Sequence, residues 1–255
     1  MSFFSLFFSN TSFSGEFSCK KSNSIQEFCT DSTVTNEAIS GSTAYQWGAG
    51  GTYDPAEFVK KEHTHIWFSA GGNDYMTPAE DPSAPGADSG GCKMSNADFT
   101  TRMQGAIDKI KKAATDVDNK NVKIVLTGYC VPTKPECDGS TDLDVPIAAM
   151  KAIAASEANV EFYDISERCG GKSGPKDGSG KTSNSEYFVD AIHLNKRGYS
   201  KAFTMPSLQT GLGCTAKEHD CSAVPEVGCS GSSGLRETFT IAVVAVLGMV
   251  AAALL

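Results

Sequence analysis

The feature that most constrains this chain is an alternation of short β-rich runs with helical patterns. His65 to Ala70 (HIWFSA) is a compact apolar run closed by Gly71-Gly72, and Val122 to Thr127 (VKIVLT) is β-branched and stops at Gly128. Val160 to Ile165 (VEFYDI) reads the same way, and Val34 to Ser40 (VTNEAIS) is a shorter, mixed candidate strand. Between them, Phe99, Met103, Ile107, Ile110, Ala114 and Val117 recur at the three-and-four spacing of one helix face, which predicts a helix over 98–117. Ser95 with Asp98 supplies its N-terminal cap. A second helix is expected from Pro146, a favoured first-turn residue, through Ile147, Met150 and Ile153. Strands that alternate with helices predict an α/β fold with a parallel sheet covered on both faces. In such sheets ligands bind beyond the carboxyl ends of the strands, so the chemistry is sought there.

Composition limits the partners and the compartment. With 40% hydrophobic and 20% charged residues in 255, the chain can bury a core, and its charge of -8 argues against a nucleic-acid partner. Lys109, Lys111 and Lys112 fall on the polar side of the predicted helix and read as a solvated face. Nine cysteines are many for a reducing compartment. None forms a C-x-x-C pair, whereas Cys19/Cys29, Cys130/Cys137 and Cys214/Cys221/Cys229 lie at short spacings. Disulfides closing surface loops, and hence the secretory pathway, are the reading that follows. The odd count leaves one cysteine to be accounted for.

The ends carry targeting information. Cys229 to Gly234 (CSGSSG) is small, Leu235 to Thr240 is a more polar spacer, and Ile241 to Leu255 is an unbroken apolar tail. This is the layout of a lipid-anchor (GPI) signal, with an uncleaved membrane helix and a buried core helix as the alternatives. Met1 to Phe8 (MSFFSLFF) is apolar without a basic leader or a small-residue cleavage site, so it reads as a poor signal peptide or as the first buried strand. An anchor signal and disulfides need secretion, yet no convincing secretion signal precedes them. The expectation is an N-terminus that is incomplete or wrong as given. The chain divides into 1–35, of open assignment; 36–210, the α/β domain; 211–234, a Cys/Gly/Ser-rich linker; and 235–255, the anchor signal.

Three segments stand at the ends of expected strands: Ile39 to Ala44 (ISGSTA), Gly71 to Asp74 (GGND) and Asp190 to Asn195 (DAIHLN). Singly, each has an ordinary explanation as a turn or a surface pair. Together, in order and spacing, they resemble the SGNH/GDSL hydrolases across residues 36–204. Gly41 matches the second block of that family, Gly71 to Asp74 its G-x-N-D block, and Asp190 to His193 its D-x-x-H block. The resemblance implies a three-layer α/β/α flavodoxin-like fold and a serine esterase with no cofactor. It assigns His193 as the base that activates a serine, Asp190 as the group orienting His193, and the Gly41 N–H, the Asn73 amide and the N–H of the serine as oxyanion donors.

The first block of the family, Gly-Asp-Ser after the first strand, is not present as such. Asn10-Thr11-Ser12, after Phe3 to Phe8, is its positional match, which makes Ser12 the candidate nucleophile. Ser32 is rejected, because too few residues separate it from Gly41 to hold a helix and a strand. The alternatives are a serine upstream of Met1 and a chain that has lost its nucleophile. The sequence therefore reads as a cell-surface serine esterase of a small ester or acylated glycan, held at the membrane by its C-terminal anchor. The competing reading is an inactive surface protein that binds a glycan or lipid on the same fold.

Two other motifs carry less. Gly180-Lys181-Thr182 lacks the upstream glycine and the strand and helix of a phosphate-binding loop. His63 and His65, two apart, have no nearby cluster to complete a metal site. Substrate selection is expected from the variable stretches 77–92 and 170–185.

Overall fold

The structure is a computed structural model of the chain; it describes residues 2–7, 29, 32–39, 41–76, 81–87, 93–130, 144–169, 194 and 196–215. Among the described residues five strands run in one parallel sheet: β1 (Ser2–Phe7), β2 (Thr33–Asn36), β3 (His63–Ser69), β4 (Lys123–Thr127) and β5 (Val160–Tyr163). Among the described residues six α-helices accompany them: α1 (Ala44–Trp47), α2 (Gly72–Met76), α3 (Asn96–Asp116), α4 (Asp144–Ser156), α5 (Lys196–Phe203) and α6 (Pro206–Gly211). The apolar N-terminal stretch thus supplies the first strand. Its pairing places Phe3 beside Val34 of β2 and beside His65 of β3.

The strand order is β2-β1-β3-β4-β5. The chain leaves β1 toward one side for β2 and then crosses back for β3. Loops at the carboxyl ends of β1 and β3 therefore lead in opposite directions, which opens the crevice where ligands bind in doubly wound sheets.

Period-two alternation divides the strands between two layers of helices. Ile66 and Phe68 of β3, with Ile124 and Leu126 of β4, pack with Phe99, Met103, Ile107 and Ile110 of α3 and Met150 and Ile153 of α4. Trp67 and Val125, pointing the other way, pack with Ala202 and Phe203 of α5 and Leu208 of α6. Trp67 meets Phe203 edge-on at 4.9 Å, and its indole N–H donates to Thr127 Oγ1 at 3.1 Å. Covering both faces with apolar side chains is what makes the sheet's strands read as continuous hydrophobic runs.

The helices follow the expected pattern with shifted bounds. Ser95 Oγ accepts the Asp98 N–H at 3.1 Å, and five of the six face residues are buried; Val117, the C-cap, is only half-buried. Helix α4 starts at Asp144, with Pro146 within its first turn. Strand β2 is shorter than expected, because an edge strand with one neighbour stops where that pairing stops, at Asn36 against Ser5.

One expectation is corrected. Cys29 and Cys214 form a disulfide across 185 residues of sequence, with Cα atoms 5.0 Å apart, instead of closing a short surface loop. Both are buried beside Leu208, Leu212 and Trp67, so the bridge is part of the second core. The pairing itself was open in the sequence, because packing, not sequence distance, brings the sulfurs together. Among the described residues no helix is long and apolar enough to cross a membrane. The C-terminal tail expected as an anchor, the Gly180-Lys181-Thr182 segment and the 170–185 stretch lie outside the described residues.

Candidate active site

Two segments meet beyond the carboxyl ends of β2 and β3. In the first, the Ser42 N–H donates to the Ile39 carbonyl at 3.3 Å, closing a turn in which Gly41 holds φ +77°. A left-handed residue at that position of a turn favours glycine. Gly41 is exposed, and its N–H meets no acceptor among the described residues. The turn leads straight into α1, whose start is held by reciprocal bonds between Thr43 and Gln46. Ser42 is buried, and its hydroxyl accepts the Trp47 indole N–H at 3.0 Å.

The second segment is Gly71 to Asp74. Gly71 sits at φ +100°, and a Cβ there would lie 2.6 Å from the Phe99 ring. A Cβ on Gly72 would lie 2.9 Å from the Tyr129 ring. Both glycines are therefore required by close packing, and the first by its backbone as well. The Gly72 N–H donates to Tyr129 Oη at 2.9 Å, which pins the start of α2 to the loop after β4. Burial holds the Tyr129 phenol well above its ordinary pKa, and so neutral.

Asn73 and Asp74 then grip the first segment. Asn73 Nδ2 donates to the Ser42 carbonyl at 3.0 Å. Asp74 Oδ2 accepts the Ala44 N–H at 2.7 Å, and Oδ1 accepts the Tyr45 N–H at 3.1 Å. Asp74 is buried, which pushes its carboxyl above the usual range, while the two N–H groups and Arg102 act in the opposite direction. Arg102 Nη1 stands 3.4 Å from Asp74 Oδ1, and its Nε donates to the Pro85 carbonyl at 2.7 Å.

The structure thus brings Gly41 and Asn73, two of the expected site residues, to adjoining segments. Ser12, Asp190 and His193 lie outside the described residues; Leu194, next to His193, packs against the second core. Asp74 was named from sequence within the G-x-N-D block without a role, and Arg102 and Tyr129 were not singled out. Arg102 had a signal, since it occupies the apolar face of α3 three residues after Phe99 and four before Ala106. His63 and His65 lie at the opposite, amino end of β3, both buried. His63 Nδ1 accepts the Lys60 N–H at 3.1 Å, and His65 Nδ1 lies 3.0 Å from Thr64 Oγ1.

A parallel sheet in this order, with a glycine turn and an asparagine meeting beyond its carboxyl edge, defines a three-layer α/β/α protein of the SGNH hydrolase type. Solved structures agree on the fold. A lipase/acylhydrolase of Enterococcus faecalis has a TM-score of 0.53 at 13% identity, covering 86% of this chain and 100% of that one. A putative acylhydrolase of Bacteroides fragilis has a TM-score of 0.52 at 16% identity, covering 83% and 86%. A variant acetyl-xylooligosaccharide esterase from a Geobacillus has a TM-score of 0.52 at 12% identity, covering 86% and 96%. No curated protein sequence matches the chain. The model of the GDSL-like lipase/acylhydrolase family matches residues 21–201, and the chain belongs to that family. It is an ester hydrolase. The matched span begins beyond Ser12 and includes Gly41, Asn73, Asp190 and His193.

Proposed function

We propose that the protein is a serine esterase that removes an acyl or acetyl group from a carbohydrate or lipid at the cell surface. The observation that carries this reading is the Asn73–Ser42 hydrogen bond at 3.0 Å, which ties the G-x-N-D block to the Gly41 turn. An exposed N–H on a turn and a side-chain amide fixed beside it are the donors that an ester carbonyl needs as it becomes an oxyanion.

In this mechanism Ser12 Oγ attacks the ester carbonyl carbon and His193 takes the hydroxyl proton. Asp190 holds the imidazole in the tautomer that can accept it. The negative charge that develops on the carbonyl oxygen is met by the Gly41 N–H and by Asn73. The tetrahedral intermediate expels the alcohol, which leaves with the proton from His193. Water then attacks the acyl-serine, His193 takes a proton from it, and the acid departs as the serine is restored.

Surface placement is supported by the buried Cys29–Cys214 bridge, which suits an oxidising compartment, and by the small-residue, spacer and apolar layout of 229–255. The test is labelling of the full chain with a fluorophosphonate probe, followed by mapping of the tagged peptide, beside His193→Ala. Labelling of Ser12 that vanishes in the variant is the expected result. A tag on another serine moves the nucleophile, and a folded protein that takes no label leaves a binding protein on a hydrolase scaffold.

A further inference from the structure

Arg102 is a charged side chain in the wrong place for packing alone. It lies mid-helix on the core face of α3, and in its pair with Asp74 the side chains are 1% and 0% exposed. Buried ion pairs can often be replaced by apolar groups without loss of stability, so stability does not explain one. The guanidinium is also imperfectly satisfied. Nε reaches Pro85 and Nη1 reaches Asp74, while Nη2 is buried with no hydrogen-bond partner among the described residues. A retained orphan donor calls for an explanation.

We propose that Arg102 is a positioning residue for the oxyanion site: acting through Asp74, it fixes the Gly41–Tyr45 segment against Asn73. This rests on the esterase reading above, because the segment is the one assigned to the oxyanion. The two oxygens of Asp74 take one N–H each, from Ala44 and Tyr45, directly behind the Gly41 turn. Only an ionised carboxylate is acceptor-only at both oxygens; a protonated one carries an O–H on one oxygen and accepts more weakly there. Burial works against that ionisation; the Ala44 and Tyr45 N–H groups oppose it first, and Arg102 adds the one positive charge of the pair. The other groups around the pair are the Tyr129 phenol, held neutral by burial, and the Tyr45 ring, 5.7 Å from the guanidinium carbon. Asp81 reaches the Tyr45 hydroxyl at 2.8 Å from the loop that also supplies Pro85. Arg102 thus ties α3, α1 and this loop to the carboxylate that sets the turn.

The experiment compares the full chain with Arg102→Met, which removes the charge, and Arg102→Lys, which keeps it, using p-nitrophenyl acetate as probe. Arg102→Met is expected to lower kcat ~100-fold with KM little changed, the size of effect that small misplacement produces. The acid limb of its kcat/KM profile moves to higher pH, because Asp74 then keeps its proton, and Arg102→Lys restores most of both. Backbone amide exchange at Ala44 and Tyr45 accelerates at least ~10-fold in Arg102→Met as their acceptor weakens. Wild-type exchange at these two amides, an unmoved acid limb, or a lysine variant no better than the methionine variant overturns the proposal. If Arg102→Met does not fold, Asp74→Asn/Arg102→Met removes both charges; wild-type kcat in that variant also overturns it. A wild-type protein that neither hydrolyses the probe nor takes a fluorophosphonate sinks the esterase reading, while the exchange measurement still decides whether Arg102 holds the segment.

Discussion

Asn73 and Asp74 are neighbours in sequence but grip opposite polarities of one backbone segment. Asn73 donates to the carbonyl of Ser42, and Asp74 accepts from the amides of Ala44 and Tyr45. A segment held at its carbonyl by one residue and at its amides by the next has little freedom to drift, which is what preorganised donors require. Asn73→Ala should lower kcat by about 100- to 1000-fold, with KM within a few-fold, as for other single oxyanion donors. Steady-state hydrolysis of p-nitrophenyl acetate checks it. A loss confined to KM would assign Asn73 to ground-state binding instead. Gly71→Ala belongs to the same scale. It combines a φ of +100° with a Cβ 2.6 Å from the Phe99 ring, so a loss of at least about 2 kcal/mol in urea unfolding is expected. Sequence offered Gly71 as a turn residue; that it also makes room for an aromatic ring from α3 depends on a contact between distant segments.

Strand β3 shows how one element serves two ends. Its carboxyl end delivers the Gly71–Asp74 segment to the site, and its amino end buries His63 and His65. Burial pushes both imidazoles below their ordinary value of 6.5; Glu62 and Glu161 resist this, while Lys60 and Lys123 add to it. The unfolded chain therefore takes up protons first as the pH falls. Stability from these groups is whole above about pH 6.5 and declines below it, toward their lower folded values. The urea midpoint should drop between about pH 7 and pH 5 in the wild type and drop less in His63→Gln/His65→Gln. Equal slopes in the two proteins would show that neither histidine carries the effect. The elements themselves were legible, because β3, β4 and β5 are apolar runs ended by polar or glycine residues and α3 repeats at three and four. Arg102 was not. On the pattern of α3 it is a polar residue on an apolar stripe, and only the fold shows Asp74 beneath it. The Gly41 turn was visible as a glycine after a strand, whereas its tie to Asn73 needed both segments in place.

At the scale of the molecule, the sheet order brings the β2 and β3 ends together, and the Cys29–Cys214 bridge joins the segment before β2 to the segment after α6. Sequence indicated disulfides and the oxidising setting but not this pairing, since the two cysteines lie 185 residues apart and meet only through the second core. That distance is the source of the bridge's effect. Closing a loop of this length removes entropy from the unfolded chain equivalent to about 5 kcal/mol, and losing a native disulfide commonly costs about 2–5 kcal/mol. Against a total stability on the order of 5–15 kcal/mol, this is a large share. Both sulfurs are buried among Trp67, Leu208 and Leu212, so Cys29→Ala/Cys214→Ala removes the cross-link without placing a polar group in that core. The melting temperature of the double variant should fall by on the order of 10 °C, from the usual few degrees per kcal/mol at this chain length. Single variants should fall at least as far, because each leaves an unpaired thiol beside the core. Reduction of the double variant should add only what the other disulfides, including that of Cys130, contribute. A double variant that melts with the wild type would mean that the two ends of the domain are held by the packing of Trp67, Phe203 and Leu208 alone.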